Sequence, residues 1–131
     1  LNRLKSIVNK KIFVGKTYYK YLKNNKNIYF AESKKNNLEN IYWVNGLLIL
    51  NGAKKDAKKL AEELKKHKIE TRPFFWPMHK QDAFKKKNYF KNIKLSNSEF
   101  ISKNGFYLPS GLGLTSKELK FVKDTVISIL K

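Results

Sequence analysis

The chain is expected to fold as an α+β domain, a small antiparallel or mixed sheet covered by helices. Three observations lead there. Apolar residues recur at helical spacing near both ends and once in the middle. Between these stretches lie short runs rich in β-branched and aromatic residues. The length of 131 residues, 41% of them hydrophobic, suffices for one core and is tight for two. Burial on that scale offsets folding entropy, so a disordered chain is disfavoured although 30% of the residues are charged.

The first helix is read from Leu1, Leu4, Val8, Ile12, Gly15, Tyr19 and Leu22, with lysines between them. It has no convincing N-cap and is expected to begin upstream of residue 1. Residues 24–40 are rich in Lys and Asn, a loop with one short strand around Ile28-Tyr29-Phe30. Residues 41–50 (IYWVNGLLIL) read as a strand ended by the turn pair Asn51-Gly52. Ala57, Leu60, Ala61 and Leu64 then form one apolar helix face.

Residues 69–75 return as a strand, closed by Trp76-Pro77, and residues 79–95 are expected to be irregular with local turns. Two later helix starts carry the capping-box pattern, Ser96-x-x-Glu99 and Thr115-x-x-Glu118. In such a box hydroxyl and carboxylate satisfy each other's orphan amides. Between them residues 105–110 (GFYLPS) form a strand running into the turn at Gly111-Leu112-Gly113. The last helix turns Leu119, Val122, Val126, Ile129 and Leu130 inward.

Composition removes several classes of function. Without cysteine there are no disulfides, thiolate metal sites or cysteine nucleophiles. His67 and His79 lack the spacing and carboxylate partners of a metal site, and His67 suits a helix C-terminus. No apolar run has bilayer length and no secretory signal is visible, so a cytoplasmic protein is expected. The net charge of +19 invites a nucleic-acid reading. Yet 27 of the 29 basic residues are Lys, scattered along the chain, whereas base reading favours the planar fork of Arg. A solvated surface is the simpler reading; a stand-alone module for nucleic acid or another polyanion is the alternative.

One segment stands apart. Thr71-Arg72-Pro73-Phe74-Phe75-Trp76-Pro77-Met78-His79 gathers a guanidinium, three aromatic rings, a thioether and an imidazole between two prolines. The prolines stiffen the backbone and remove amide donors, which disfavours a central strand and suits a preorganised pocket wall. Its rings can face a sugar or a nucleobase, or can be core. Arg72, one of only two arginines, can grip a phosphate or carboxylate bidentately, or form a buried ion pair with Glu70 or another acid. His79 can contact a ligand or serve as a satisfied structural histidine.

Three stretches in this order resemble the C-terminal part of the DegT/DnrJ/EryC1/StrS aminotransferase family: residues 41–49, 69–79 and 105–115. The second and third are specific, and their wording is most similar to the perosamine-synthase branch. The resemblance implies a fold-type I architecture in which a large domain holds pyridoxal phosphate and a small domain completes the substrate pocket. Residues 1–26 would then be the helix that follows the large domain, and 41–131 the small domain proper, within a single domain of residues 1–131.

The implied reaction transfers an amino group from glutamate to a nucleotide-diphosphate-linked keto sugar, in a cytoplasmic homodimer that has no membrane and no specific nucleic-acid partner. Arg72, Phe74, Phe75, Trp76, Met78 and His79 would line the sugar-nucleotide side of the pocket. The catalytic and cofactor-binding residues would lie outside this segment, so the fragment is expected to be inactive alone. A relative that lacks the cofactor-holding lysine would dehydrate instead of transaminating.

Overall fold

A computed structural model describes residues 2–32, 34–35, 37–50, 53 and 56–130. Helix α1 (Leu4–Leu22) leads into β1 (Ile28–Phe30). A two-strand ribbon of β2 (Lys34–Lys35) and β3 (Leu38–Glu39) precedes β4 (Asn45–Ile49). Then come α2 (Ala57–Lys66), β5 (Arg72–Pro73), a 3-10 turn (Met78–Lys80), α3 (Asp82–Lys86), α4 (Ser96–Asn104), β6 (Gly105–Leu108) and α5 (Ser116–Leu130). The main sheet runs β1-β4-β6-β5 and every neighbouring pair is antiparallel. The expected α+β class therefore stands, and the sheet is antiparallel.

Register makes the two faces of this sheet chemically different. Leu47 lies opposite Phe106 and Asn45 opposite Leu108, and all four are buried. With Ile49 they form the inner face, because strand side chains alternate. Against it pack Val14, Tyr18 and Leu22 of α1, Leu60 and Leu64 of α2, and Leu119, Val122 and Val126 of α5. On the other face Gly46 lies opposite Tyr107 and Leu48 opposite Gly105. The Phe74 ring covers both glycines: a Cβ on Gly46 would come within 2.7 Å of it, and one on Gly105 would overlap it.

Several expectations need correction. The buried stripe of α1 is Val14, Gly15, Tyr18 and Leu22, whereas Leu4 is exposed and Val8, Ile12 and Tyr19 are half-buried. The strand expected over 41–50 begins only at Asn45, because Tyr42 adopts a left-handed φ of 50°. That turn tucks the Tyr42 ring against Gly15, where any Cβ would overlap it, and lets its hydroxyl donate to the Ala31 carbonyl at 3.0 Å. Over 69–75 only Arg72 and Pro73 pair, at the sheet edge, since Pro73 has no amide to donate. Within 79–95 lies a short helix, α3, that periodicity did not reveal. Leu1, Asn51-Gly52 and the lysines at 54 and 55 fall outside the described residues.

The two capping boxes part company. Thr115 Oγ1 accepts from the Glu118 amide at 3.2 Å, and Glu118 accepts from the Thr115 amide at 2.8 Å and its hydroxyl at 2.7 Å. These bonds hold the Glu118 carboxyl below its ordinary range. Helix α4 has Leu95 at its N-cap position and no side-chain cap, and Glu99 turns elsewhere.

Candidate functional site

The outer face of the sheet carries an open groove of about 690 Å³. Its wall is aromatic: Trp43, Phe74, Phe75, Trp76 and Tyr107 line it, and Arg72 is the only charged residue among its described lining. The rings brace one another. Tyr107 meets Phe74 edge-on at 4.4 Å between centroids and Phe75 at 5.8 Å. Burial pushes the Tyr107 phenol up, so the ring presents a neutral hydroxyl at neutral pH.

The rings remain largely open to solvent: Phe75 is 71% exposed, Trp43 66% and Trp76 60%. Singly exposed aromatics are ordinary, but several lining one groove mark a contact surface. Arg72 stands where this groove meets a second hollow of about 520 Å³, lined by Glu70, Ser110, Gly111 and Glu118 among others. Its guanidinium makes no ion pair or side-chain hydrogen bond among the described residues, which corrects the buried-pair alternative with Glu70. An exposed, unspent fork beside aromatic faces can bind a phosphate or carboxylate while a ring or sugar lies on the wall.

Of the six residues implied by resemblance, Arg72, Phe74, Phe75 and Trp76 come together in the groove. Phe74 is half core, closing the sheet at Gly46 and Gly105. Met78 is exposed but is not among the groove's lining residues, and His79 is buried at 6% exposure, with Nε2 3.1 Å from Glu99 Oε1. Sequence reading missed Trp43 and Tyr107. Tyr107 was recoverable from alternation, since Phe106 and Leu108 facing inward oblige Tyr107 to face outward. Trp43 was hidden by the strand assigned over it.

Among the described residues neither hollow has a lysine in its lining. The nearby amines of Lys10 and Lys11 are engaged, Lys10 with the Leu114 carbonyl at 2.7 Å and Lys11 with the carbonyls of Ser110 at 2.8 Å and Trp43 at 3.1 Å. They tie α1 to the loop around 110–114. Both amines are held by carbonyls, so the described lining of the two hollows offers no lysine to anchor an aldehyde cofactor such as pyridoxal phosphate. Among the described residues no cluster of His, Asp and Glu could hold a metal ion, and no helix is long and apolar enough to cross a membrane.

The fold of this chain is shared by part of several solved structures. Helicobacter pylori PseC, an aminotransferase involved in pseudoaminic acid biosynthesis, superposes with a TM-score of 0.81 at 15% identity, over 94% of this chain and 32% of its own. The aminotransferase TlmJ from Streptoalloteichus hindustanus gives 0.81 at 16% identity, over 97% of this chain and 32% of its own. The E. coli GDP-4-keto-6-deoxy-D-mannose-3-dehydratase with bound hydrated pyridoxal phosphate gives 0.78 at 18% identity, over 96% and 32%. This chain thus spans about a third of those chains, whose fold it shares. The sequence profile of the DegT/DnrJ/EryC1/StrS aminotransferase family matches residues 1–127, and the chain belongs to that family.

Proposed function

We propose that this chain is the substrate-facing part of a pyridoxal-phosphate-dependent enzyme that moves an amino group from glutamate to a keto sugar carried on a nucleotide diphosphate. The observation that carries the reading is the groove: an aromatic wall with a single free guanidinium beside it. Ring faces suit the apolar faces of a sugar or base, and the fork of Arg72 suits a diphosphate oxygen pair. Two related structures support the substrate class by name, the E. coli dehydratase of a GDP-linked keto sugar and a mutant GDP-4-keto-6-deoxymannose-3-dehydratase with bound GDP-perosamine.

In this reading the cofactor supplies the electron sink and is held by residues outside this chain. The groove's residues bind and orient the sugar nucleotide and keep water from one side of it. The 131 residues are inactive alone, and the working unit is a cytoplasmic homodimer. Whether the reaction is transamination or dehydration is decided by the cofactor-holding residue and not by the groove.

The test is a pair of variants in the full-length protein. Arg72→Lys keeps the charge and loses the fork, and should reduce kcat/KM for the nucleotide sugar by about tenfold or more. Lys86→Ala, on the exposed face of α3, should change it by less than about twofold. Equal, small effects from both would remove Arg72 from the substrate site.

A further inference from the structure

Glu99 was expected to cap its own helix and instead reaches across to the segment that builds the groove. Oε1 lies 3.1 Å from His79 Nε2 and Oε2 accepts from Lys80 Nζ at 2.8 Å. The backbone at Lys80 is in turn tied to the groove, because the Trp76 indole N–H donates to the Lys80 carbonyl at 3.0 Å. The 3-10 turn Met78–Lys80 stiffens the connection, with Lys80 N–H donating to Pro77 O at 2.9 Å.

Trp76 is placed to feel this clamp. Trp76 lines the aromatic groove and also a smaller hollow of about 180 Å³, whose other lining residues are Pro77, Lys80, Glu99 and Lys103. A side chain that lines two hollows and is 60% exposed has few packing contacts to fix its ring. Its orientation therefore depends on the Lys80 carbonyl, and that carbonyl's position on the carboxylate of α4. Removing one acid from a chain with only 10 acidic residues would leave a buried imidazole without its partner.

We infer that Glu99, acting through His79 and Lys80, is a positioning residue that holds Trp76 on the wall of the substrate groove. The inference rests on the proposed sugar-nucleotide role of that groove. It assigns to His79 a place behind the wall rather than a contact with substrate.

The experiment uses the full-length protein loaded with pyridoxal phosphate and labelled with fluorotryptophan, the Trp76 resonance being assigned by its loss in Trp76→Phe. Fluorine NMR reads the ring, and calorimetric titration with GDP and with UDP reads the groove. Glu99→Gln should shift or broaden the Trp76 resonance and weaken the tighter-binding nucleotide by about tenfold. Lys80→Met, which removes one arm and leaves the buried pair, should do the same by about threefold, and decides the matter if Glu99→Gln does not fold. Thr115→Ala, which removes a helix cap and lines none of these hollows, should leave the Trp76 resonance in place. An unmoved Trp76 resonance in the clamp variants overturns the inference, as does a moved resonance with nucleotide affinity within about twofold of wild type. If the wild-type protein binds neither nucleotide, the sugar-nucleotide reading falls, and the Trp76 resonance alone then upholds or overturns the clamp.

Discussion

The two faces of the sheet are built from the same four strands and do opposite work. On the inner face Leu47, Ile49, Phe106 and Leu108 are sealed under three helices. On the outer face glycines and aromatics alternate, Gly46 and Gly105 making room for Phe74, with Tyr107, Phe75 and Trp76 left open beside it. Stability is concentrated on the first face, and recognition is expected on the second.

The comparison would break if the faces responded alike to truncation. Phe106→Ala should cost about 3–5 kcal/mol in urea unfolding, the range for a large buried side chain. Phe75→Ala, across the sheet, should change stability by less than about 0.5 kcal/mol. A similar loss at both positions would mean that Phe75 is core after all.

Glycine substitutions sharpen the contrast. Gly15→Ala pushes a methyl into the ring of Tyr42, which is fully buried and already in a left-handed turn, so about 1–3 kcal/mol should be lost. Gly105→Ala meets Phe74, which is half-exposed where Tyr42 is sealed, and comes within 2.7 Å of the Leu48 side chain. It should cost less in thermal unfolding than Gly15→Ala while weakening nucleotide binding by reshaping the groove.

Much of this architecture was legible beforehand because it rests on local pattern. Helix α2 followed from Ala57, Leu60 and Leu64 and is capped by Asp56, which accepts from the Lys59 amide at 2.8 Å. Helix α5 and its Thr115 box were equally plain. What escaped was set by tertiary contact. Tyr42 reads as a strand residue until its ring is seen filling the space that Gly15 leaves open. Glu99 reads as a capping acid until His79 and Lys80 compete for it. The aromatic segment was legible in composition, but only the tertiary packing shows which of its rings reach the groove and that His79 is buried against Glu99.

The two Ser/Thr-x-x-Glu motifs give a smaller test of the same lesson. Thr115→Ala should cost about 1 kcal/mol of stability, a normal capping loss. Ser96→Ala should be near neutral, because Ser96 makes no cap. Equal losses in chemical denaturation would restore the symmetrical reading.

Acid should separate them further. The hydrogen bonds from Lys80 and His79 hold the Glu99 carboxyl down to about 2. A depressed carboxylate stabilises the fold above its unfolded pKa, and that contribution disappears as pH falls through the folded value. The stability difference between wild type and Glu99→Gln should therefore shrink as pH falls from about 5 to 2. A difference that persists unchanged to pH 2 would mean that the charge on Glu99 contributes nothing.

The central claim, that the aromatic outer face is where the sugar nucleotide lies, is tested most directly by hydrogen–deuterium exchange of the full-length protein with and without its nucleotide sugar. The account predicts that ligand protects residues 72–76 and the backbone around Tyr107, while α2 on the opposite face is unchanged. Protection elsewhere in the protein with no change over 72–76 and 107 would contradict it.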